Sequence, residues 1–561
     1  MASKGFTSIL AIVLGIAFVG VLVTMTMLPT SHKVTMKYAA KTIPSSLSWP
    51  QVERVGIQEE IRQTGQHTWN ISAASKGSYG RTCASQTEVV FLTDVNSISR
   101  GDIFDLSVIA RDINGRRRTI GGDLWRAVIY NTGSHFASMG RITDHGNGTY
   151  TVQFYAGFSG VVKLQIVLVL QREAVKYQRE VVLSIESRAS WNGIFRSANK
   201  TEMSDCFVKR EGEWKDKCEY PHPGASGNTV FLCDPPKSLE CNTLANISVS
   251  KNTRISKTET DILVSHQYLF KAPNAVQVIK SFQDEFTIQR RTVSDYIKYQ
   301  VPQCEGDLSD TVSDGYWLGT RWYSLVCQNR EWHNAREVQK CLQGKHVYFL
   351  GDSTTRQWYQ QMLQIAGYPM NVTDKNWRNR VDNLPGEYKV SGTDSYDMLV
   401  TDLKNNINFT YHHHALSRHP QIPISRFPYF VDIIDGLASP ECNYVILISL
   451  WAHFDTWTTY SFTERIFLLA RGIKHLMDRC QNTIVAIKGS HERNNINNYW
   501  ILYDMNRILK DEFKGLGVFF IDIWDMNFAY AFSHKMKMSI HMPMHVIKEE
   551  VFMFLSHACR K

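Results

Sequence analysis

A serine that follows an apolar segment is the first candidate for chemistry in this chain of 561 residues. Residues Lys345 to Leu350 predict a buried strand, and Gly351-Asp352-Ser353 follow it directly. The next residues predict a helix, so the hydroxyl of Ser353 would lie between a strand end and a helix N-terminus. This position suits a nucleophile, because glycine permits the tight turn and N–H groups at a helix start stabilise a developing oxyanion. An Asp-Ser pair can also serve only as a helix cap.

A serine nucleophile needs a base, and a histidine close to the end of the chain is the candidate. His541 follows a stretch of alternating apolar residues and precedes Val546 to His557, which predict a closing helix. A loop before such a helix is where a base for a strand-end serine would lie. His545 and His534 are alternatives, and each of the three could instead be an ordinary surface histidine in a chain that has 19 of them.

The surrounding sequence alternates between strands and helices. Apolar strands are predicted to begin near Lys345, Asp397, Asn443, Thr483 and Gly517, with helices at Phe462 to Cys480 and Trp500 to Phe513. Strands of this kind are buried on both faces, so the pattern predicts an α/β doubly wound parallel sheet. Ligands bind beyond the C-terminal ends of the strands in such a sheet, which is where Ser353 would lie.

An earlier region of the chain has the pattern of short antiparallel strands. Apolar and polar residues alternate from Phe104 to Ala110 and from Tyr150 to Phe154, and Val162 to Leu170 predicts another strand. Glycine-containing turns at Asn114-Gly115 and Gly146-Asn147-Gly148 separate these segments. The pattern predicts an antiparallel β-sandwich.

Two segments of the sequence resemble a known family. Tyr348 to Tyr359, in which Arg356 follows the Gly-Asp-Ser triplet, is similar to the nucleophile block of the PC-esterase group, which includes polysaccharide and sialate O-acetyltransferases. Asp102 to Leu170 resembles neurexophilin through its GRRR segment at Gly115 and its GNGTY segment before Gln153. The chain thus resembles the neurexophilin and PC-esterase domain family over nearly everything that follows its N-terminal apolar run.

The resemblance implies a multidomain protein, in which an immunoglobulin-like antiparallel β-sandwich precedes an SGNH-hydrolase-like α/β domain. The predicted segments are a signal anchor or signal peptide at 1–30, a stem at 31–75, a neurexophilin-like sandwich at 76–190, a cysteine-bearing connecting region at 191–300 and a PC-esterase domain at 301–561.

Carried over residue by residue, the resemblance makes Ser353 the nucleophile and His541 the base. Arg356 would orient the substrate or the oxyanion, together with Gly351 in the same turn. His453 follows a central strand, at the place where SGNH proteins hold an oxyanion or substrate group. Those proteins generally use asparagine there.

The sequence departs from the family pattern close to His541. The carboxylate that usually stands three residues before the histidine is replaced by Met538, and Met542 is the second residue of the usual His-Pro-Pro segment. Asp522 or Asp525, at the end of the preceding predicted strand, could orient the imidazole instead. Reduced or lost activity is therefore an open alternative.

The histidine run His412-His413-His414 invites a metal interpretation, but no metal site is predicted there. Neighbouring residues of a strand point to opposite faces, so the three side chains cannot all converge on one ion.

The chain has eleven cysteines, an odd number that leaves one thiol without an internal partner. Four of them lie close together but lack the CxxC spacing of zinc sites, so disulfides in an oxidising compartment are predicted instead. These four are Cys206, Cys218, Cys233 and Cys241.

The N-terminal residues and the glycosylation motifs indicate the secretory pathway. Residues 6–28 form an unbroken apolar run that is long enough for a single-pass signal anchor in the Golgi or ER membrane, with a cleaved signal peptide and secretion as the alternative. The N-glycosylation motifs, which favour a luminal side, begin at Asn70, Asn147, Asn199, Asn246, Asn371 and Asn408. The formal charge of +9 is spread along the chain and does not indicate nucleic-acid binding.

The predicted function is luminal glycan O-acyl transfer through an acyl intermediate on Ser353. Acetyl is the expected group, acetyl-CoA is a candidate donor, and carbohydrate hydroxyls, sialic acid among them, are the candidate acceptors; no bound cofactor is expected. A carbohydrate esterase is the second enzymatic hypothesis, because water and a sugar hydroxyl attack the same intermediate. The rival from another class is a neurexophilin-like binding protein, whose sandwich holds a protein partner and whose esterase domain is inactive.

Overall fold

A computed structural model describes most of the chain after residue 79. It covers residues 80–131, 133–188, 190–209, 216–219, 230–249, 257–291, 301–308, 311, 313–368, 388–394, 396–414, 422–423, 428–437, 440, 442–493 and 499–560. These residues belong to one compact unit. The predicted anchor or signal peptide, the predicted stem and two of the glycosylation motifs, Asn70 and Asn371, lie outside the described residues. Among the described helices, none combines the length and apolar character of a membrane span.

Two antiparallel sheets form the first part of the molecule. The first contains β1 (Glu88–Phe91), β2 (Ile103–Ile109), β5 (Arg141–Asp144) and β6 (Thr149–Tyr155), in the order β1-β2-β6-β5. The second contains β3 (Leu124–Asn131), β4 (Phe136–Met139), β7 (Gly160–Leu170), β13 (Gln277–Val278), β14 (Glu285–Ile288), β15 (Gly315–Leu318) and β16 (Arg321–Ser324). Its order is β13-β7-β3-β4-β15-β16, and β14 also pairs with β7.

The inward residues of these two sheets form one apolar core, as alternation along the strands requires. In β2 every second residue is buried, and Phe104 packs on Phe154 of β6 with 5.3 Å between the ring centroids. Leu164 and Ile166 of β7 reach the same core from the second sheet. The prediction of antiparallel β-structure in this region is confirmed.

The second sheet crosses the domain boundary that the sequence suggested at residue 301. Strand β15 pairs with β4, with Trp317 opposite Ala137, and β16 continues the sheet beyond it. The sheet therefore combines strands from both sides of the boundary, because residues 315–324 complete an edge that the earlier strands leave open.

A third sheet is built largely from the segment predicted as a connecting region. It contains β8 (Ser190–Ser197), β9 (Lys200–Lys209), β10 (Cys218–Glu219), β11 (Val230–Cys233), β12 (Leu244–Val249) and β21 (Ile422–Pro423), in the order β10-β11-β9-β8-β12-β21. Two disulfides fasten it, Cys206–Cys233 and Cys218–Cys241. The four clustered cysteines thus form disulfides, as predicted.

The fourth sheet has a parallel centre. It contains β17 (His346–Gly351), β18 (Tyr388–Asp394), β19 (Asp397–Asp402), β20 (Ile407–His413), β22 (Tyr444–Ile448), β23 (Ile484–Lys488) and β24 (Phe519–Ile521). The order is β18-β19-β20-β17-β22-β23-β24. Neighbours from β20 to β24 run parallel, whereas β18, β19 and β20 pair antiparallel.

Helices cover both faces of the fourth sheet. The helices of the described residues are α1 (Arg172–Glu180), α2 (Lys257–Ser265), α3 (Ala335–Leu342), α4 (Ser353–Ile365), α5 (Phe430–Asp435), α6 (Thr459–Arg479), α7 (Tyr499–Phe513), α8 (Trp524–Ser533) and α9 (Met544–Ala558). Val347 and Phe349 of β17 pack into a core with α4 and α9, while Leu350 packs into a second core with α6 and α7. Burial on both faces explains why these strands read as continuous apolar runs.

Three further disulfides hold the C-terminal part together. They join Cys304 to Cys327, Cys341 to Cys559 and Cys442 to Cys480. Cys83 keeps a free thiol, which accounts for the odd number of cysteines.

Candidate active site

The turn between β17 and α4 carries the candidate nucleophile. The strand ends at Gly351, the helix begins at Ser353, and Asp352 is the only residue between them. A Cβ atom on Gly351 would lie 2.0 Å from the Oγ1 atom of Thr355 and 3.0 Å from the carbonyl oxygen of Ser449. Glycine is therefore required for close approach, since any side chain would push the helix away from the strand end.

Asp352 fastens this turn to its surroundings. One carboxylate oxygen accepts hydrogen bonds of 2.7 Å from both the N–H and the hydroxyl of Thr354, and the other accepts one of 3.2 Å from the N–H of Ala452. Burial by itself raises the pKa of Asp352, but nearby His453 and Lys488 and the bond from Thr354 outweigh it and lower the pKa to about 2. Asp352 is therefore an ionised helix cap.

Ser353 and His541 meet although 188 residues separate them in the sequence. The Oγ atom of Ser353 lies 3.3 Å from the Nε2 atom of His541, and the Nδ1 atom of the same ring lies 3.0 Å from the Oε1 atom of Gln357. The Nε2 atom of Gln357 donates to the carbonyl oxygen of Met542 at 3.2 Å, which fixes the amide with its oxygen toward the imidazole.

This arrangement selects the histidine tautomer that a general base needs. An amide oxygen only accepts hydrogen bonds, so the Nδ1 atom of His541 carries the proton. In the neutral ring the lone pair is then on Nε2, which faces the hydroxyl of Ser353. The candidate nucleophile, the candidate base and an orienting group thus lie in the relative positions that acyl-transfer catalysis requires, with a neutral amide in the place of a carboxylate.

The two carboxylates suggested as orienting groups lie elsewhere. Asp522 pairs with Lys510 at 2.7 Å and accepts a hydrogen bond from the N–H of Trp524. Asp525 is buried and interacts with the charges of Asp314 and Asp522. Burial, and to a smaller extent these two negative charges, raise its pKa well above the usual range. The hypothesis that either carboxylate orients His541 is corrected, because both belong to this separate cluster.

The two methionines that depart from the family pattern have structural positions. Met538 and Met542 are buried in the core that α4 and α9 share. The carbonyl group of Met542 also holds the amide of Gln357. The absence of a carboxylate three residues before His541 is thus matched by an orienting group that comes from α4 instead.

His541 keeps part of its ring exposed at the edge of the site. Partial burial lowers its pKa, the charges of Arg356 and Lys488 lower it further, and the carboxylate of Asp352 opposes them. The other candidate bases contact Tyr530 instead, His545 through the phenol hydroxyl and His534 through the carbonyl oxygen.

Arg356 lies on the first turn of α4 and is half-buried. Its charge lowers the pKa of His541 and opposes the effect of burial on the pKa of Tyr411. The guanidinium group lies within electrostatic reach of the Ser353–His541 pair, where it could stabilise an oxyanion or an acidic substrate.

A buried ionic network lies behind the nucleophile turn. The ammonium group of Lys488 donates to the hydroxyl of Thr354 at 2.7 Å, and the indole N–H of Trp358 donates to the carboxyl of Glu550. Burial lowers the pKa of Lys488 and raises that of Glu550, and the attraction between these two groups opposes both shifts; Asp352 also opposes the shift of Lys488. The network supports the turn from the side of the core.

The loop that carries His541 is held by a second buried histidine. The Nε2 atom of His491 donates to the carbonyl oxygen of Ser539 at 2.9 Å. Burial lowers the pKa of His491 to about 3, so this ring is neutral near neutral pH. No local pattern predicts this contact, because 48 residues separate the partners.

The histidine run at the end of β20 divides between two directions. His412 turns to Asp397, with 3.1 Å between the Nδ1 and Oδ1 atoms. His413 and His414 are both buried, and their rings stack at 4.9 Å. Side chains of neighbouring strand residues were expected to point to opposite faces, but the strand ends at His413, so this alternation does not extend to His414. The Nε2 atom of His414 lies 2.8 Å from the Nδ1 atom of His453, the residue suggested as an oxyanion group.

The described glycosylation motifs differ in accessibility. Asn147 and Asn199 are exposed at turns. Asn408 lies in β20 and its side-chain amide bonds to Thr401 and His346. Asn246 is 95 % buried in β12, which pairs with a strand on each side. The prediction of a glycan at Asn246 is therefore corrected, because a glycan is incompatible with the packed sheet.

The fold and the site together define a class of protein: a disulfide-bonded molecule with antiparallel β-sheets and a serine–histidine site at the edge of a parallel sheet. Two family models match the chain, neurexophilin over residues 104–255 and the C-terminal domain of NXPE family member 4-like proteins over residues 322–559. The two matches confirm the resemblance to the neurexophilin and PC-esterase domain family in both of its domains.

These two matches relate the chain to secreted or luminal proteins and to esterases and acyltransferases. The neurexophilin match extends past residue 190, where the sequence placed the end of that domain, and includes most of the third sheet. The NXPE match begins inside β16.

Two groups of the site were missed in the sequence. Gln357 lies four residues after Ser353, and helical spacing places both on one face of α4, so this signal was present. Lys488 is the second group that was missed. Its place at the end of a continuous apolar strand indicated a buried lysine, which requires polar partners close by.

Proposed function

We propose that this protein transfers acyl groups, most simply acetyl, to hydroxyls of luminal glycans. The single observation that carries the proposal is the contact between Ser353 and His541, with Gln357 selecting the tautomer of the base. The match to the NXPE-type C-terminal domain, which is related to esterases and acyltransferases, supports the same reaction class. Acetyl-CoA is the proposed donor and sialic acid a proposed acceptor, and both rest on the resemblance to O-acetyltransferases.

In the first half-reaction the Oγ atom of Ser353 attacks the thioester carbonyl carbon, and the Nε2 atom of His541 takes the hydroxyl proton. The C–S bond breaks, and the leaving thiolate receives that proton from His541. In the second half-reaction a sugar hydroxyl attacks the acyl carbon, gives its proton to His541, and the restored Ser353 leaves with that proton. The balanced products are an O-acyl sugar and a free thiol.

The oxyanion of each half-reaction needs donors that are already in place. The first N–H groups of a helix have no intrahelical acceptors, and that of Ser353 belongs to this set. Arg356 adds a positive charge from the same turn, and Gly351 allows the turn to approach the acyl group closely. This role of Gly351 and Arg356 is part of the proposal.

The test is mass spectrometry of glycan O-acetylation in cells that express wild-type protein, Ser353→Ala or His541→Ala at matched abundance. The expected result is raised acetylation with wild type and none above untransfected cells with either variant. Lowered acetylation with wild type indicates the carbohydrate esterase, in which water replaces the sugar hydroxyl. No change with any of the three proteins contradicts both enzymatic proposals.

A binding function is the second candidate, favoured by the neurexophilin match over residues 104–255. In this alternative a protein partner binds the β-sheets while the C-terminal domain serves as a scaffold. Unchanged glycans in the expression experiment, together with partner capture by wild type and by Ser353→Ala alike, would support it.

Several finer assignments belong to the same proposal. We infer an immunoglobulin-like arrangement for the first two sheets and an SGNH-hydrolase-like fold for the parallel sheet and its helices. We also propose residence in the Golgi or ER with the N-terminal apolar run as a membrane anchor, or secretion if that run is cleaved. Protease protection of the disulfide-bonded part in intact microsomes tests the luminal orientation.

A further inference from the structure

Three histidines meet at the edge of the parallel sheet, next to the nucleophile turn. His413 ends β20, His414 follows it, and His453 lies in the loop after β22. One ring nitrogen of each lies within 4.8 Å of the others. Because β20 and β22 are the two neighbours of β17, the cluster lies at the same sheet edge as Ser353, where parallel sheets bind ligands.

The proton positions of His413 are fixed by its neighbours. The hydroxyl of Tyr411 donates to the carbonyl oxygen of Asp352 at 2.9 Å, so its only proton is used. The Nδ1 atom of His413 lies 2.8 Å from the same hydroxyl and must be the donor in that contact. In the neutral ring the lone pair is then on Nε2. Histidine ligands of metals are oriented in this way, by an N–H bond from the nitrogen that does not bind the ion.

The other two rings already place their nitrogens together. The Nε2 atom of His414 and the Nδ1 atom of His453 lie 2.8 Å apart and share one proton in a hydrogen bond. A tautomer change in one ring moves that proton to its far nitrogen, so two lone pairs then face one point without loss of a proton. The rings stack and tilt with centroid distances of 4.9 to 5.7 Å, which holds the three nitrogens as one group.

We propose that His413, His414 and His453 form a zinc-binding site. Three imidazoles suit zinc, and three protein ligands with an open fourth position are typical of catalytic zinc sites. Zinc–nitrogen bonds of about 2.0–2.1 Å in tetrahedral geometry place ligand nitrogens roughly 3.4 Å apart, so small ring rotations suffice. The buried carboxylate of Asp352 accepts a hydrogen bond from the N–H of Ala452, the residue before His453, and therefore lies beside the cluster.

The site differs from the one rejected in the sequence. His412 faces Asp397 instead, and His453, from a distant loop, completes the group. The inference does not rest on acyl transfer, because zinc is measured directly.

The test uses the full chain, purified in detergent from expressing cells with a tag that contains no histidine. After Zn²⁺ loading and removal of free metal, elemental mass spectrometry should find about one zinc ion per chain. Loading with Co²⁺ instead should give the visible d–d absorption of a four-coordinate site. His453→Gln and His414→Gln should lose most of the zinc and the absorption, whereas His412→Ala, a neighbouring histidine outside the group, should keep both.

Two outcomes overturn the proposal. One is a wild-type protein that retains no zinc after loading and gives no Co²⁺ absorption, a result that does not depend on whether the variants fold. The other is equal zinc content in wild type, His453→Gln and His414→Gln, which would place the metal among other histidines. Because Ser353→Ala leaves the ligands intact, its zinc content separates failure of this inference from failure of the proposed acyl transfer.

Discussion

The sandwich of the first two sheets and the parallel sheet bury their polar groups in different ways. In the sandwich, Asp123 accepts hydrogen bonds from the hydroxyls of Thr82 and Tyr150 and from the N–H of Arg172. All three donors are supplied by the protein, and the surrounding core is apolar. Asp123 therefore ties a strand start to neighbouring segments and stays away from solvent.

At the parallel sheet the buried polar groups converge on one turn. Asp352, Lys488 and Glu550 are almost inaccessible to solvent, and the partly buried His453 and the exposed His541 complete the group at the surface. A parallel sheet brings several strand ends to one edge, whereas an antiparallel sheet sends consecutive strand ends to opposite edges. Topology therefore decides whether a buried charge stabilises the fold or lies beside a surface site.

The largest expected effect comes from Ser353→Ala. Loss of the nucleophile should lower acyl transfer by at least about 10³-fold, because the remaining groups cannot form the acyl intermediate. Rates of glycan acetylation with purified protein measure the change. Ser107→Ala, on β2 of the sandwich, is the matched control and should leave the rate unchanged. Equal rates for wild type and Ser353→Ala would contradict the assignment of the chemistry to the parallel sheet.

The next effect concerns the stability of the sandwich. Burial raises the pKa of Asp123 to about 6, so the folded state binds a proton more tightly than the unfolded state does. Stability from this group is present at acidic pH and falls as the pH rises from about 4 to about 6, by about 3 kcal/mol in total. Hydrogen exchange of β2 and β6 at several pH values measures it.

Asp123→Asn should remove that pH dependence without changing the rate of acyl transfer. An identical slope in wild type and Asp123→Asn would contradict the assignment to this carboxyl. A large loss of activity in a variant that remains folded would show that the sandwich takes part in the chemistry.

Gln357→Leu removes the acceptor that fixes the tautomer of His541, and we expect kcat to fall roughly 30-fold, less than the loss of a charged orienting group costs. Gln357→Glu keeps an acceptor and adds a negative charge, which should raise the pKa of His541 by about one unit. The acid limb of the pH–rate profile should move upward by the same amount. A purely structural role for Gln357 would leave that limb in place.

The last effect is the pH dependence of acyl transfer by the wild-type protein. His541 must be neutral to act as a base, and burial followed by Arg356 lowers its pKa below the usual value. Activity should therefore be constant near neutral pH and fall about tenfold per unit below the pKa of His541. Acid thus weakens the site while it strengthens the sandwich through Asp123, and kcat/KM across pH checks the sign. A rate that rises on acidification would contradict the assignment of His541.

Much of the fold followed from patterns that short segments contain. The alternation from Phe104 to Ala110 and the apolar run before Gly351 gave the strand types, because one face or both faces of a strand are buried. The third sheet could not be predicted in this way. Its segments are polar and short, and its order brings β21 beside β12 from about 175 residues further along the chain, which no local pattern encodes.

Residue type and local spacing were enough to predict the nucleophile turn, the candidate base and an unpaired thiol. The tertiary structure was needed to show that Gln357 orients His541, that Asp522 pairs with Lys510, and that His453 lies beside His413 and His414. These contacts join residues that are far apart in the chain. The physical reason is that hydrogen bonds and electrostatic interactions depend on distances in space, which the order of strands in the sheet sets.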